Sequence, residues 1–583
     1  MKARTSSSTG FSVVLKLDGR WFDAKAAAKR GLVLTEWAEN GASRVALENR
    51  SGTAVRPEEL GWRKEGRDDF DVPELRLYVE SWQMASPCGV RRWDDEPFDY
   101  SPEYLPNCVS TPGDWHSGER GRFLSDGMCC LRRPDGAMRL FGFTTGADRF
   151  GHFAVKLSDG GVEEFLALCS CDRAELPPGG RIETESMLVL DGTDTEALFA
   201  AYAGRWASDS GARRRFAPPV GWCSWYYYFA DVTLSDVIEN MDWFAARRNE
   251  PDFGKVRYIQ LDDGWQTALG DWRSANAKFP GGLARFAEEA KKRGFTPAIW
   301  VGPFMVEEGA EIAAAHSDWL LRDAVGAPVS PLGWRGGRRV FVLDATHPGV
   351  QAHLESLFRD FRALGIDYVK LDFCMIESAS EGACYFDRSA TRARALRRGF
   401  EAIRRGFGDD GFLLGCTCPF GPVAGLVDAM RSSTDITPYW NRPGQHAEAP
   451  NVPNVLRNVI NHAYMNGRLW INDPDTLIVR DDRTELSESE VELWERAVAF
   501  AGGSLMLSDC MRTLSPGRLA LVRRALADAG RYRDVFPADR WENAFPLRWE
   551  AGWDGSRAVA TFDIDLHHAA VETVESDHAI ADA

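Results

Sequence analysis

Residues 368–374 read YVKLDFC, an apolar run with the character of a β-strand that carries a lysine and, two positions later, an aspartate. Side chains alternate along a strand, so Lys370 and Asp372 are expected to share one face. The positive charge of Lys370 favours the ionised form of a neighbouring carboxyl group. The stretch therefore predicts a buried strand that ends in a functional charged pair.

Seven similar runs surround this stretch between Pro218 and residue 510, and amphipathic helix patterns separate most of them. Eight strands that alternate with helices over about 300 residues are typical of a (β/α)8 barrel, to which we assign residues 214–530. The connection from Val306 to about Arg339 is long, so an insertion is expected after the third strand. The predicted strands are VGWCSWYYYF, VRYIQLDDGW, FTPAIWVGPF, DYVKLDF, GFLLGCTC, DAMRSSTD, RLWINDPD and GSLMLSD.

The segments on either side of the barrel contain short apolar runs separated by turn signals, a pattern typical of antiparallel sheets. We interpret residues 1–213 as an N-terminal antiparallel β-sandwich and residues 531–583 as a short C-terminal β-domain. Asp554-Gly555 is a strong hairpin turn signal in the latter. The expected fold class is multidomain α/β, with a central (β/α)8 TIM barrel between two β-domains.

Composition excludes several classes of partner. The 583 residues carry a formal net charge of −17, which argues against nucleic acid or an anionic membrane as a partner. The 12 cysteines have neither CxxC spacing nor zinc-like pairing with histidine, and the first residues contain no apolar signal-peptide core. These features predict a cytoplasmic protein with reduced thiols.

The predicted strands end in an unusual number of polar residues. The carboxyl ends of barrel strands face the reaction site. One acidic strand end is ordinarily a cap for the next helix, but several at once would crowd like charges around one mouth. We therefore predict a binding site from these ends, which are Asp262-Asp263, Lys370-Leu371-Asp372, Cys416-Thr417-Cys418, Arg431 to Asp435, Asn472 to Asp475 and Ser508-Asp509.

Two of these carboxyl groups suggest acid–base and nucleophilic chemistry. Asp372, held ionised by Lys370, is a competent nucleophile toward an anomeric carbon. Asp435 is the candidate for the second carboxyl group, which protonates the leaving oxygen in retaining glycosidases. Asp262 and Asp263 are expected to accept hydrogen bonds from sugar hydroxyls. Three tryptophans at the strand ends are expected to wall the pocket: Trp225, Trp265 and Trp300.

Two other kinds of site compete with this interpretation. Carboxylates also hold Mg²⁺ or Mn²⁺, but these strand ends offer no histidine and Lys370 would repel a cation. A phosphate site is disfavoured because Gly-rich endings after the seventh and eighth strands are missing. We predict no metal and no cofactor.

Five strings in this order resemble glycoside hydrolase family 36, the melibiase group of retaining α-galactosidases that also contains relatives of raffinose synthases. They are GWCSW, LDDGW, VKLDF, GLVDAMRSSTDITPYW and WINDPD, and the resemblance covers about residues 218–510. It implies an exo-acting retaining α-galactosidase that removes terminal α-linked galactose from oligosaccharides or glycoconjugates by double displacement.

The resemblance also assigns roles to single residues. It implies that Asp372 is the nucleophile and that Asp435 is the general acid and then the general base. It implies that Asp262 and Asp263 bind the 4- and 6-hydroxyls of the sugar and that six further residues bind the substrate. That set comprises Lys370, Arg431, Trp225, Trp300, Cys416 and Asp475.

Two departures from the family pattern leave alternatives open. In GCTCPFGP, Thr417 stands where many relatives of the sister family have an acidic residue, and Gly421 follows Phe420. A smaller, less charged wall would admit an N-acetyl group, so α-N-acetylgalactosaminidase activity is an alternative, and galactosyl transfer as in raffinose-synthase relatives is another. The C-terminal β-domain is short for the family, and members often assemble through accessory domains, so a homo-oligomer is possible.

Overall fold

The computed structural model describes residues 2–4, 10–111, 118–379 and 382–574, and it has a mixed α/β structure. The strands of this part of the chain form one parallel sheet and four antiparallel sheets. None of its helices is long and apolar enough to cross a membrane.

The parallel sheet contains nine strands, and all eight strand predictions for this region are confirmed. The seventh strand is split in two at Pro474, which cannot donate a ladder hydrogen bond. Its two halves stand at opposite ends of the sheet order, although only Pro474 and Asp475 separate them in the chain. The order is Ile471–Asp473, Ala429–Arg431, Phe412–Gly415, Tyr368–Leu371, Thr296–Val301, Tyr258–Leu261, Val220–Cys223, Leu505–Leu507 and Thr476–Leu477.

Helices connect most of these strands, and several begin at polar caps. Thr233 and Ser487 each form a capping box, in which side chain and backbone satisfy each other's free groups. The longer helices are Leu234–Ala245, Gly282–Lys292, Pro348–Ala363, Arg392–Phe407, Val452–Asn461, Glu488–Phe500 and Pro516–Asp528. Short helices are Ala24–Ala28, Leu105–Cys108, Trp225–Tyr228, Glu311–Ala315 and Phe420–Val423.

The helix Val452–Asn461 was not predicted, because buried asparagines interrupt its apolar pattern. Asn458 is fully buried, and its side-chain amide donates to the carbonyl oxygens of Met84 at 2.8 Å and Ser86 at 3.0 Å. Asn461 likewise donates to the carbonyl of Cys88. These polar side chains satisfy backbone groups of the N-terminal part of the chain, so they serve packing rather than solvation.

The N-terminal part consists of antiparallel sheets, as predicted, with one sheet of nine strands and one of six. Trp62 and Phe153 from the six-stranded sheet share one hydrophobic core with Leu47 and Phe141 from the other. The larger sheet contains Lys2–Arg4, Leu32–Glu39, Ala42–Asn49, Arg76–Val79, Gly89–Arg91, Met128–Arg132, Met138–Phe143, Arg181–Glu183 and Met187–Gly192. The smaller contains Phe11–Leu17, Arg20–Asp23, Glu59–Lys64, Arg122–Asp126, Gly151–Ser158 and Gly161–Ser170.

The helix Thr195–Ser210 leads from these sheets to the first parallel strand, and a four-stranded antiparallel sheet follows the last long helix. The predicted hairpin is confirmed: Asp554 and Gly555, with φ of 43° and 84°, join its second and third strands. The strands of this sheet are Arg533–Pro537, Arg548–Trp553, Ser556–Asp563 and His568–Val574.

The predicted insertion after the third parallel strand contains a small sheet of its own. Its three antiparallel strands are Met305–Glu307, Leu332–Gly333 and Arg339–Val342. The middle of the insertion, around Trp334 and Arg335, therefore projects toward the carboxyl ends of the parallel strands, where both side chains line a cavity.

A buried ion pair joins the N-terminal sheets to the region of the parallel sheet. His462 lies 2.9 Å from Glu80 through Nε2 and 2.7 Å from the carbonyl oxygen of Ser432 through Nδ1, an arrangement that suits an imidazolium donating twice. Burial by itself lowers the pKa of His462, but nearby Cys88 and Glu80 outweigh it and hold the pKa well above its ordinary value. Burial would raise the pKa of Glu80, yet His462 holds it below its ordinary value.

We expect His462→Gln to lower the melting temperature by about 3 to 8 °C, because it leaves a buried carboxylate without its partner. A raised histidine pKa stabilises the fold fully below the unfolded value of about 6.5, and a lowered glutamate pKa does so above about 4.3. The fall in melting temperature should therefore be largest between the unfolded pKa values of glutamate and histidine. It should shrink as the pH rises through the folded pKa of His462. Calorimetric scans at pH 5.5 and pH 9, with the helix-cap variant His347→Gln as control, measure it. An equal loss at both values would contradict the assignment.

Candidate active site

A cavity of about 530 Å³ opens at the carboxyl ends of the parallel strands. Seven of the ten predicted site residues line it: Trp225, Asp262, Asp263, Trp300, Lys370, Asp372 and Asp435. They lie in five strands of one sheet or in the residues that follow these strands, so the parallel topology brings them together.

Lys370 lies between two carboxylates at the bottom of this cavity. Its Nζ is 3.2 Å from Oδ2 of Asp262 and 3.7 Å from Oδ2 of Asp372. Burial disfavours a charged ammonium group, but the charge of Asp262, followed by that of other neighbours including Asp372, raises the pKa of Lys370 well above its usual value. Lys370 is therefore a permanent cation in the cavity floor.

Asp372 is surrounded by donors. Oδ2 accepts a hydrogen bond from the indole of Trp300 at 2.9 Å, and Oδ1 accepts from the hydroxyl of Thr417 and the backbone N–H of Phe373, both at 2.7 Å. Burial would raise the pKa of Asp372, but the charge of Lys370 and these hydrogen bonds hold it below its ordinary value. The carboxylate is thus ionised and fixed in orientation.

Asp435 has the opposite environment. Its carboxylate accepts a hydrogen bond from Arg431 at 3.1 Å, and 46% of its side chain is accessible because it faces the open volume of the cavity. Confinement in the cavity raises the pKa of Asp435 despite the charge of Arg431, and the negative charges of Asp372 and Asp262 add to the effect. One cavity therefore holds one carboxyl group biased toward the ionised form and one biased toward the protonated form.

Arg431 and Asp475 do not line the cavity but lie buried behind Asp435. Arg431 contacts Oδ1 of Asp475 at 2.8 Å, and Oδ2 of Asp475 accepts hydrogen bonds from the hydroxyl of Tyr226 and from the N–H of Ile436 at 2.8 Å. Burial raises the pKa of Asp475 to about 7, against the lowering charge of Arg431. The pair thus lies behind Asp435, and Arg431 holds the carboxylate of that residue.

Cys416 also lies outside the cavity wall, because its thiol is buried beneath the next residue. That residue, Thr417, lines the cavity and donates to Asp372. Thr417 has φ of 42° and Phe373 has φ of 51°, a region that is unfavourable for side chains of their size. Backbone strain on both sides of Asp372 accompanies its fixed position.

The cavity wall contains residues that the sequence analysis missed. Arg335 of the insertion contacts Oδ2 of Asp263 at 2.6 Å, and Trp334 packs edge-on against Phe373. Burial raises the pKa of Asp263. Trp265, expected in the wall, is fully buried behind it and donates to the carbonyl of Trp300.

Another part of the wall comes from the N-terminal segment and from the connection after the sixth strand. The residues involved are Gln83, Met84, Ala85, Ser101, Tyr104, Asn107 and Cys108, together with Gly444, Gln445, His446, Glu448, Ala449 and Pro450. Their only signal in the sequence is the presence of aromatic and polar residues in Pro- and Gly-rich stretches.

One group of three potential metal ligands meets among the described residues, namely Glu80, Cys88 and His462, away from the cavity. Glu80 already accepts hydrogen bonds from Tyr464 at 2.9 Å and from His462 at 2.9 Å, and both ring nitrogens of His462 have partners. This group is therefore a satisfied hydrogen-bond network rather than a vacant ligand set.

Comparison with known proteins finds a family model and relatives that resemble part of this chain. Residues 221–397 match the Melibiase family model. α-Galactosidase 1 of Pediococcus pentosaceus is 30% identical over 159 residues, which cover 26% of this chain and 20% of that protein. The chain thus matches about a fifth of the length of that curated relative.

Solved structures extend the likeness to most of the chain. The α-galactosidase of Thermus thermophilus, in complex with p-nitrophenyl α-D-galactopyranoside, is 26% identical with a TM-score of 0.67, over 90% of this chain and 98% of that one. The family 36 α-galactosidase AgaA of Geobacillus stearothermophilus, at 13% identity and a TM-score of 0.59 over 94% of this chain and 75% of that one, shares the fold. Residues 221–397 thus resemble the melibiase family, and most of the chain shares the fold of the family 36 α-galactosidases.

We expect Lys370→Met to raise the pKa of Asp372 by about one to three pH units, because the nearest cation is lost. The indole N–H of Trp300 donates to Asp372 and is a local reporter of this titration. Its resonance, followed against pH in protein labelled with ¹⁵N-tryptophan, gives the pKa in each variant. Lys255→Met, which removes a lysine bound to carbonyl groups elsewhere, is the control. An unchanged midpoint in Lys370→Met would contradict the electrostatic role.

Proposed function

We propose that this protein is a retaining exo-α-galactosidase that hydrolyses terminal α-linked galactose. The observation that carries the proposal is the opposite bias of two carboxyl groups in one cavity. The pKa of Asp372 is lowered and that of Asp435 is raised. Environments that push two titratable groups apart in this way assign a nucleophile and an acid.

The proposed reaction has two steps. The Asp372 carboxylate forms a bond to the anomeric carbon while the bond to the leaving oxygen breaks, and Asp435 gives its proton to that oxygen. Asp435, now ionised, then takes a proton from a water molecule that attacks the anomeric carbon and releases Asp372. Both displacements invert the anomeric centre, so the product keeps the α-configuration.

The cavity floor supports binding of a sugar with several hydroxyls. Asp262 and Asp263 offer carboxylate oxygens, and Lys370 offers donors. The side chains of Trp225 and Trp300 offer flat apolar surface against the ring. We propose that Asp262 and Asp263 bind the hydroxyls at C4 and C6, and that Arg431 and Asp475 act from behind the wall.

The layout of the chain is part of this proposal. Because the two ends of the parallel sheet are halves of one split strand, we propose that it closes into a (β/α)8 barrel within residues 214–530. An N-terminal sandwich of residues 1–213 and a C-terminal β-domain of residues 531–583 would flank it. All 12 cysteines are free thiols, which supports the predicted cytoplasmic location, and a homo-oligomer stays a prediction.

The surroundings of Gly421 remove one argument for N-acetylgalactosamine as the substrate. Gly421 packs against Gly146 of the N-terminal part, where a Cβ on Gly146 would lie 2.6 Å from the Cα of Gly421. It therefore does not enlarge the wall at Asp372, where Thr417 stands. We expect faster hydrolysis of an aryl α-galactoside than of the corresponding α-N-acetylgalactosaminide, and the reverse order would move the proposal to the second substrate.

Rescue by azide separates the two proposed roles. Asp372→Ala and Asp435→Ala should each lower kcat for an aryl α-galactoside, the latter by about 10²- to 10⁴-fold. With azide, Asp435→Ala should form α-galactosyl azide, since azide attacks the covalent intermediate. Asp372→Ala should form β-galactosyl azide, since azide attacks the substrate directly. NMR of the products decides, and the same anomer from both variants would contradict the assignment.

The pH dependence of kcat/KM should be a bell, because Asp372 must be ionised and Asp435 protonated. Asp475→Asn should move the alkaline limb to lower pH. It removes a negative charge that disfavours ionisation of Asp435 and frees Arg431 to favour it. The expected shift is about one pH unit. Asp509→Asn, at a buried strand end paired with Arg480, is the control, and a limb that stays in place in Asp475→Asn would refute this coupling.

A further inference from the structure

Thr417, which follows the strand Phe412–Gly415, has a backbone conformation that its side chain disfavours. Its φ of 42° lies in the left-handed region, where a β-branched residue is a strong outlier and glycine is the usual choice. Outliers of this kind persist where the surroundings require them, and they are concentrated at functional sites. The strain indicates that a side-chain contact holds this residue in place.

The side chain of Thr417 makes this contact with Asp372. Its hydroxyl donates to Oδ1 of Asp372 at 2.7 Å, and its carbonyl oxygen accepts the N–H of Met375 at 2.9 Å. Thr417 thus holds the turn after Asp372 at two points, one through the side chain and one through the backbone. The backbone contact needs no particular side chain, whereas the contact with the carboxylate needs a side-chain donor.

The two carboxylate oxygens of Asp372 have different surroundings. Oδ1 accepts two hydrogen bonds, from the hydroxyl of Thr417 and from the N–H of Phe373, both at 2.7 Å. From the described residues Oδ2 accepts one, from the indole of Trp300 at 2.9 Å, and Nζ of Lys370 stands 3.7 Å away, beyond hydrogen-bond distance. A carboxylate oxygen has about two lone-pair positions, so Oδ2 is the oxygen with one available for a new bond.

The charge on Oδ1 changes during the proposed reaction. When Oδ2 bonds to the anomeric carbon, the carboxylate becomes an ester and Oδ1 becomes its carbonyl oxygen. When water attacks, the bond between the anomeric carbon and Oδ2 breaks, and its electron pair restores a negative charge that both oxygens share. Hydrogen bonds to a charged oxygen are stronger than those to a neutral one, so the donors at Oδ1 favour departure of the carboxylate.

We propose that Thr417 is a catalytic hydrogen-bond donor of the second displacement, where its hydroxyl stabilises the negative charge that returns to Oδ1 of Asp372. This inference rests on the proposed function, because it takes Asp372 as the nucleophile. It goes beyond that function by assigning different roles to the two oxygens: Oδ2 forms the bond to the sugar, and Oδ1 carries the charge that Thr417 stabilises. Thr417 thereby acts on the rate of one step rather than on the shape of the sugar pocket.

The test measures the two displacements separately on one covalent species. 5-Fluoro-α-D-galactosyl fluoride forms an adduct in the first displacement, and the adduct, once freed of excess reagent, is hydrolysed in the second. Intact-mass spectrometry follows both rates. Thr417→Val, which keeps the β-branched shape without the hydroxyl, should slow hydrolysis of the adduct about tenfold.

Formation of the adduct should not slow in Thr417→Val at a pH where Asp372 is ionised. The transition state of that step gains no interaction from the hydroxyl, because negative charge leaves the carboxylate as the bond forms. Equal slowing of both rates would mean a structural effect, and unchanged hydrolysis would mean no role in the second displacement. Either result would overturn the proposal.

Two further variants separate the hydroxyl from the change of side chain. Thr417→Ser keeps a hydroxyl and should recover most of the lost rate of hydrolysis. Thr144→Val is the matched control, because Thr144 is buried and its hydroxyl donates to a carboxylate oxygen of Asp209 at 2.6 Å, outside the cavity. It should change neither rate. A serine variant as slow as the valine variant, or an equal fall in Thr144→Val, would overturn the role of the hydroxyl.

A crystal structure of the trapped adduct tests the roles of the two oxygens. It should show the sugar bonded to Oδ2 of Asp372, with Oδ1 within hydrogen-bond distance of the hydroxyl of Thr417. A bond through Oδ1 would overturn the assignment.

A titration tests the contact without turnover. Burial raises the pKa of Asp372, and the hydrogen bond from Thr417 is one of the contacts that hold it below its ordinary value. Thr417→Val should raise the midpoint seen by the indole resonance of Trp300 by about 0.5 to 1 pH unit, and Thr417→Ser by less. An unchanged midpoint in Thr417→Val would overturn the proposal. If the wild type hydrolyses no α-galactoside, the proposed function fails, and this titration still decides whether Thr417 stabilises the charge of Asp372.

Discussion

The contact of Lys370 with Asp262 and Asp372 is the interaction on which the rest of the site depends. A buried ammonium group is tolerated only with carboxylate partners, and a buried carboxylate only with a cation or several donors. The parallel register places Lys370 beside Trp300 on one neighbouring strand and Leu414 on the other, and the side chain of Lys370 lines the cavity. The sheet thus fixes the cation, and the cation keeps Asp372 ionised.

The pKa of Asp435 differs from that of Asp372 because the charged groups that hold Asp435 lie behind it, outside the cavity lining. Arg431 divides its charge between Asp435 at 3.1 Å and Asp475 at 2.8 Å, so it neutralises neither completely. Asp475 in turn holds the N–H of Ile436, the residue after Asp435. The same arginine therefore orients the proposed acid while leaving its pKa above the ordinary value.

The sequence predicted the parallel strands and most of the cavity floor, because both depend on local patterns. Alternation along each strand and polar residues at its end are visible in one dimension, which is why Lys370 and Asp372 could be paired directly. The sequence does not show how deeply a polar side chain at a strand end is buried. Cys416, Arg431 and Asp475 share the pattern of their neighbours but are buried and do not line the cavity.

Contacts between distant segments were also beyond the sequence. Tyr104 and Glu448 are 344 positions apart in numbering, and nothing in either local pattern indicates that both line one cavity. The helix Val452–Asn461 was hidden for a related reason, since Asn458 looks solvated in the sequence but binds the backbone of Met84 and Ser86. Residues whose roles come from tertiary partners carry no periodic signal.

In the proposed reaction a galactosyl group is carried on Asp372 between the two displacements. The most direct measurement is mass spectrometry of the protein after incubation with 5-fluoro-α-D-galactosyl fluoride, which slows both steps and lets a covalent adduct accumulate. We expect one added fluorogalactosyl group, which peptide analysis locates on Asp372. An adduct on another residue, or turnover to the β-product without any adduct, would contradict it.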